Sequence, residues 1–283
     1  MPKCDFCGKE AFVAGWLCQS EAQAGGCKTE AKPREHEMTD INRQPVLDHG
    51  YVLLRNIAGP VRRADAEFDA DDTDPANAAR FSFDAADKID RTREQDLKLA
   101  RYLMEHRHST PFEMVTVWLE MQMPIFVARQ FVRHRTVSIN EVSARYTKLE
   151  PLFYVPDPAV VGVKSETNKQ GRTIDGDARE VADQFASDLR SSNFGAYRKY
   201  DYAIAAGIPN ELARLFLPLN VYTKWLWKQD LHNLLHFLDL RLDPHAQYEA
   251  RQYAEAVAAL LRRVLPHSMA LFDQRRLARD VER

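Results

Sequence analysis

Every cysteine of the chain lies within its first 27 residues, at Cys4, Cys7, Cys18 and Cys27. No disulfide can staple the remainder, so that part of the 283 residues must fold by burying an apolar core. Nor can it offer a thiolate nucleophile of its own, unless the N-terminal segment folds back to supply one. The length suits one large domain with a small appendage. A hydrophobic share of 45% and a charged share of 28% are ordinary globular proportions. The formal charge of −2, from 39 Lys and Arg against 41 Asp and Glu, argues against a nucleic-acid coat or a polybasic membrane anchor. The longest apolar runs, such as residues 257–261, are far too short to span a membrane. Met1-Pro2-Lys3-Cys4 begins no apolar signal segment. A soluble, cytoplasmic protein with no membrane and no nucleic-acid partner is expected.

Cys4-Asp5-Phe6-Cys7-Gly8 has the form of a zinc knuckle, in which a tight turn aims two sulfurs at one metal. Cys18 and Cys27 would complete a four-sulfur tetrahedron, although eight residues separate them. The alternative is a tail of four unpaired thiols. A redox motif fits less well, because no βαβ pattern surrounds it. Residues 28–44 are polar and read as a linker. The expected division is a Cys-rich zinc-knuckle segment with linker over 1–45 and a main domain over 46–283.

In the main domain, residues 50–54 read as a strand, and 65–74 as a solvated acidic loop with six Asp or Glu in ten. A helical stripe over 93–107 ends at His108-Ser109-Thr110-Pro111. Residues 113–121 alternate as a strand, and Pro124 opens a helix. Residues 152–163 read as extended, 164–176 as a polar loop, and 178–206 as a long helix closed by Gly207. Another helix starts at Pro209-Asn210-Glu211. Residues 221–240 read as one helix, and Asp243-Pro244 opens a last one to about Val264. Trp225 and Trp227 suit packing, as do His232 and His236, which are four apart with no third metal ligand evident. The fold class is α+β, helix-rich with a small antiparallel sheet.

The chemistry concentrates in residues 130–146. Arg129 and Arg133, four apart, would share a helix face. With Arg135 and Arg145 they put four guanidinium groups close together, and only Glu141 offsets them. Apolar Phe131, Val132, Val137, Ile139 and Val142 interleave the charges and would hold the segment to a core. Planar guanidinium forks match phosphates, and no Gly-rich phosphate loop exists here.

The run Arg133-His134-Arg135-x-x-Ser138-x-Asn140-Glu141-x-Ser143-x-Arg145-Tyr146 resembles the signature of the flavin-dependent thymidylate synthases (the ThyX family). Further similar stretches are His108-Ser109-Thr110-Pro111-Phe112-Glu113, Asn168-Lys169-Gln170-Gly171-Arg172, Ala213-Arg214, and Leu240-Arg241 with His245-Ala246-Gln247. They run in family order over roughly residues 46–270. The resemblance implies a ThyX-like fold, a homotetramer with shared sites, and reductive methylation of dUMP to dTMP. The one-carbon donor would be methylenetetrahydrofolate, and FAD would relay hydride from NAD(P)H. It also implies Arg133, His134 and Arg135 as FAD ligands, with Ser82, Thr110, Glu113, Glu141, His236 and His245 as further cofactor contacts. His108 would lie beside the flavin where folate stacks. Gln130, Glu141, Ser143, Arg145, Arg214 and Arg241 would hold dUMP, with Arg145 and Arg214 on the phosphate and Arg241 facing the pyrimidine. Arg241, Ser143 and His108 are the catalytic candidates. One departure is Asp230-Leu231-His232, where the family often has Asn-x-Arg. The Cys-rich segment lies outside the familiar family core.

Elementary chemistry points the same way. Carbon 5 of uracil is a poor nucleophile, and a domain without cysteine cannot activate it by thiolate addition. Hydride from a reduced flavin, with arginines polarising the pyrimidine carbonyls, is a route that remains. Related pyrimidine one-carbon transfers, such as hydroxymethylation or action on dCMP, fit the same motif. A zinc-knuckle nucleic-acid binder is a rival from another class, disfavoured by the net charge.

Overall fold

The computed structural model describes residues 41–61, 66–83, 91–165, 171–173 and 179–282. The four cysteines, and the zinc site expected of them, lie outside the described residues. So does residue Asn168 with its neighbours Lys169 and Gln170. Residues Asn42–Arg283 cluster as one unit. Among the described residues no helix is long and apolar enough to cross a membrane, and no three His, Cys, Asp or Glu gather as for a metal.

The elements in chain order begin with β1 Arg43–Val46, β2 Gly50–Ala58, α1 Asp74–Arg80, α2 Arg93–Glu105, α3 Thr110–Glu113, β3 Thr116–Pro124, α4 Ile125–Phe131 and β4 Ser138–Glu141. They continue with β5 Val163–Lys164, β6 Arg172–Thr173, α5 Arg179–Ala205, α6 Asn210–Ala213, β7 Tyr222–Asp230, α7 Leu231–Arg241, α8 Tyr248–Val264 and α9 Pro266–Glu282. Five strands form one antiparallel sheet in the order β1-β2-β3-β7-β4, and β5 pairs with β6 alone. The α+β class with a small antiparallel sheet is as the sequence leads one to expect.

In β3, Val117, Leu119, Met121 and Met123 alternate inward and are fully buried. They face α8, whose Tyr253, Ala254, Val257 and Leu261 form the opposite layer of one apolar core. Four aromatics from four elements lock the layers. Phe237 of α7 meets Phe131 of α4 and Trp227 of β7 edge-on at 4.9 and 4.8 Å, and Tyr253 of α8 meets Phe131 at 6.4 Å. Each such pair adds roughly 0.5–1.5 kcal/mol beyond its buried area.

Three expectations fail. Residues 221–240 are not one helix: Tyr222–Asp230 is a strand between β3 and β4, and only Leu231–Arg241 is helical. Trp225, Trp227 and Gln229 point inward while Lys224 and Leu226 are exposed, which is period two. The exposed Leu226 disguises the alternation. The last helix over 243–264 starts at Tyr248, and α9 follows it unforeseen. The acidic segment is not a solvated loop. Asp72 and Asp74 are buried. Asp72 accepts the backbone N–H groups of His267 and Ser268 at 2.8 Å each, at the start of α9. Asp74 accepts the N–H of Asp71 at 2.7 Å. Helix N-termini expose unpaired N–H groups and partial positive charge, so a carboxylate is stable there without water.

One strained residue matters below. Helix α2 ends in a Schellman pattern, with Arg107 N–H to the Met104 carbonyl and His108 N–H to the Leu103 carbonyl. Arg107 occupies the left-handed position at φ 59°, where glycine is usual. A side chain there costs about 1–2 kcal/mol.

Candidate active site

The end of α7 and the end of α4 converge on one guanidinium. Arg241 donates through Nε to His134 Nε2 and through Nη2 to the Gln130 carbonyl, both at 3.1 Å. Neither acceptor is charged. Burial first, then the positive charges of Arg241 and His236, lower the His134 pKa to about 4. The ring is therefore neutral near pH 7, and since Nε2 accepts, the proton sits on Nδ1. Burial also lowers the Arg241 pKa, but a guanidinium keeps its proton. The result is a half-buried cation without a counter-ion among the described residues. His134 packs edge-on against Phe237 at 4.9 Å, so the central aromatic cluster fixes the ring that orients Arg241.

Arg133 and Arg135 lie in the turn beyond α4 and are exposed. The helix stops at Phe131, so Arg129 and Arg133 do not share a helix face as the spacing predicts. None of these three arginines has an acidic partner among the described residues. Glu141, the one acid in the segment, turns instead to accept the Thr223 hydroxyl at 2.6 Å. Unopposed guanidinium groups of this kind suit an anionic ligand.

The two phosphate candidates meet at α6. Arg145 pairs with the Glu211 carboxylate at 3.3 Å, and Arg214 Nε donates to the Glu211 carbonyl at 3.3 Å. Both partners of the ion pair are half exposed, so it contributes no more than about 1 kcal/mol and yields readily to a phosphate. Ser143 Oγ accepts the Arg145 N–H at 3.3 Å. Among the described residues no imidazole or carboxylate bonds that hydroxyl to activate it as a nucleophile. Gln130 Nε2 donates to Gln247, which in turn donates to the buried carboxylate of Glu249 at 2.9 Å. Gln247 falls in the family-like stretch His245-Ala246-Gln247, but the sequence assigns neither it nor Thr223 a supporting role.

A cavity of about 550 Å³ opens between α2, α7 and α9. His108, His232 and His236 line it. His108 lies over Tyr102 with ring centroids 6.3 Å apart. Since His236 also acts on His134, the cavity adjoins the Arg241 cluster. Of its four arginines, Arg107 ends the α2 stripe without an assigned role, and the three from α9 escape a sequence reading that ends at Val264. Ser82, Thr110 and Glu113 are not on its wall: Ser82 is exposed in the turn Phe81–Phe83, and the other two bound α3. His245 is not in a helix. It is exposed in a turn, where its Nδ1 lies 2.9 Å from Asp243 Oδ1. Asp230 caps α7 by accepting the Asn233 N–H at 2.8 Å, which gives the departure Asp230-Leu231-His232 a structural role. Three imidazoles beside four guanidinium groups and a single acid, Asp239, form a donor set that fits an anionic dinucleotide such as FAD.

Residues 66–267 match the family model described as thymidylate synthase complementing protein. A flavin-dependent thymidylate synthase of Gluconobacter oxydans is 41% identical over 272 residues, covering 94% of this chain and 85% of its own. That coverage leaves about 17 residues unmatched, so the similarity extends into the Cys-rich segment. A flavin-dependent thymidylate synthase of Ruegeria pomeroyi is 43% identical over 239 residues, covering 82% of this chain and 74% of its own. Among solved structures, a UMP/dUMP methylase from Streptomyces cacaoi bound with 5-Br dUMP superposes with a TM-score of 0.68 at 28% identity, covering 82% of this chain and 97% of that one.

Proposed function

The chain belongs to the thymidylate synthase complementing protein family, and on that footing we propose that it converts dUMP to dTMP. Methylenetetrahydrofolate is the one-carbon donor, and NAD(P)H is the source of reducing equivalents. Bound FAD supplies the hydride that completes the methyl group. The observation that carries this reading is Arg241, a half-buried guanidinium whose acceptors are both neutral. Such a group has electrostatic capacity left for a pyrimidine carbonyl on which negative charge develops. His134 and the Gln130 carbonyl orient it. Arg145 and Arg214 take the nucleotide phosphate, and Gln130, Glu141 and Ser143 complete the dUMP contacts. Arg133, His134 and Arg135 hold the cofactor, His236 borders it, and His108 presents its ring beside the flavin. Thr110, Glu113, Ser82 and His245 reach it only through rearrangement or a second subunit.

A homotetramer with shared sites belongs to the same proposal. The phosphate region is open on the single chain, and Leu212, Leu215, Phe216 and Leu219 beside Arg214 are all exposed. An apolar surface of that kind is what a subunit contact covers.

The test is product analysis. With dUMP, methylenetetrahydrofolate, NADPH and FAD, the expected product is dTMP, heavier than substrate by one CH2. A gain of CH2O would show hydroxymethylation instead. A chain that methylates UMP as readily as dUMP would share the dual substrate range of the Streptomyces cacaoi UMP/dUMP methylase.

A further inference from the structure

The cavity between α2, α7 and α9 is more basic than the roles assigned so far require. Its charged lining is Arg107, Arg275, Arg276 and Arg279 against a single acid, Asp239. That acid is committed. It binds Arg279 through both oxygens, at 2.5 and 2.8 Å, and lies 3.6 Å from Arg276. Arg276 also donates to the Asp239 carbonyl at 2.9 Å. These bonds fasten α9 to α7. Arg107 and Arg275, in contrast, have no acidic partner among the described residues. They line the cavity from different elements, one at the end of α2 and the other on α9. Arg107 does so from a backbone conformation that L side chains rarely adopt. Glycine would close the same turn without strain, so the Schellman pattern gives no reason for an arginine.

We propose that Arg107 and Arg275 are anion-binding residues for the diphosphate of a dinucleotide seated in this cavity. The inference rests on the reading above, under which two dinucleotides, FAD and NAD(P)H, visit the enzyme. Both carry the same phosphoric anhydride, and the two guanidinium groups supply the paired donors it needs. Met104, Phe112, Leu235 and Phe272 give the cavity an apolar side for the attached nucleoside. Arg276 and Arg279 hold the wall in place through Asp239.

The test compares the full-length wild type with Arg107→Gly, Arg275→Ala and the double variant. FAD affinity is read by flavin fluorescence, and the KM for NADPH is measured on flavin-loaded enzyme. Thermal melting reports the fold. Arg107→Gly relieves strain, so its melting temperature should equal or exceed that of wild type, while a binding constant worsens at least tenfold. A merely structural arginine would show the opposite pattern. Loss confined to FAD affinity identifies the flavin as occupant; loss confined to the NADPH KM identifies the co-substrate. Wild-type values for both ligands in all three variants would overturn the proposal while leaving the proposed reaction intact. Failure of wild type itself to bind FAD would instead refute the functional reading on which it stands.

Discussion

The coupling of His134 to Arg241 can be measured by a double-mutant cycle. Arg241 has two tethers, the imidazole Nε2 and the Gln130 carbonyl. His134→Ala removes one and leaves a half-buried charged donor unpaired. A hydrogen bond to a charged group contributes about 1.5–3 kcal/mol. If the interaction orients Arg241 for the reaction, kcat/KM for dUMP should fall about tenfold to a hundredfold. In an Arg241→Lys background the fork no longer exists, so His134→Ala should cost much less there. The assay is kcat/KM at saturating FAD, with flavin content measured for each variant so that cofactor loss is separated from misorientation. A coupling energy above about 1 kcal/mol is expected. Effects that add to within about 0.5 kcal/mol would refute the tether.

Two further outcomes are expected. His134 should make stability depend on pH. In the unfolded chain it gains a proton near pH 6.5, but in the folded state not until about pH 4. The unfolded state therefore binds more protons between those values, and stability falls as pH is lowered through that window. The ceiling is about 3 kcal/mol, reduced by solvent screening of a ring that is only half buried. Urea unfolding at pH 6.5 and pH 4.5 should show this slope, and His134→Phe should flatten it. Asp72→Ala, which strips α9 of both its N-terminal acceptors, should destabilise the fold by about 2–3 kcal/mol, and Asp72→Asn by roughly half as much. A loss under about 0.5 kcal/mol in urea unfolding at unchanged m value would show that other groups hold α9.

Much of the site was legible because its parts are close in sequence. Arg133 to Tyr146 is one continuous motif, and the arginines proposed here for cofactor (Arg133, Arg135) and for phosphate (Arg145) all fall in it, whereas Arg214 and Arg241 come from distant stretches. The fold was legible where a single period dominated, as in β3 or α5. It was illegible where neighbours on both faces were apolar. In β7 the outward Leu226 beside inward Trp225 and Trp227 imitates a helical stripe. The acidic segment misled for another reason. Asp72 is stabilised by N–H groups 195 and 196 residues away, and no local pattern announces that. The cationic wall at Arg275 was missed with its helix, since Pro266 at the first helical position follows directly on the end of α8.

The anchoring of α9 by Asp72 also fixes an order of events during synthesis. The cavity draws its walls from residues 104–112, 232–239 and 272–279. Its acidic clamp is made early, whereas the helix that it clamps is among the last segments to emerge. Loop closure over nearly two hundred residues is slow compared with forming local helices. A nascent chain can thus build the central sheet before it owns a place for a dinucleotide. The capacity to bind one would appear in a single late docking step, when the α9 backbone reaches Asp72.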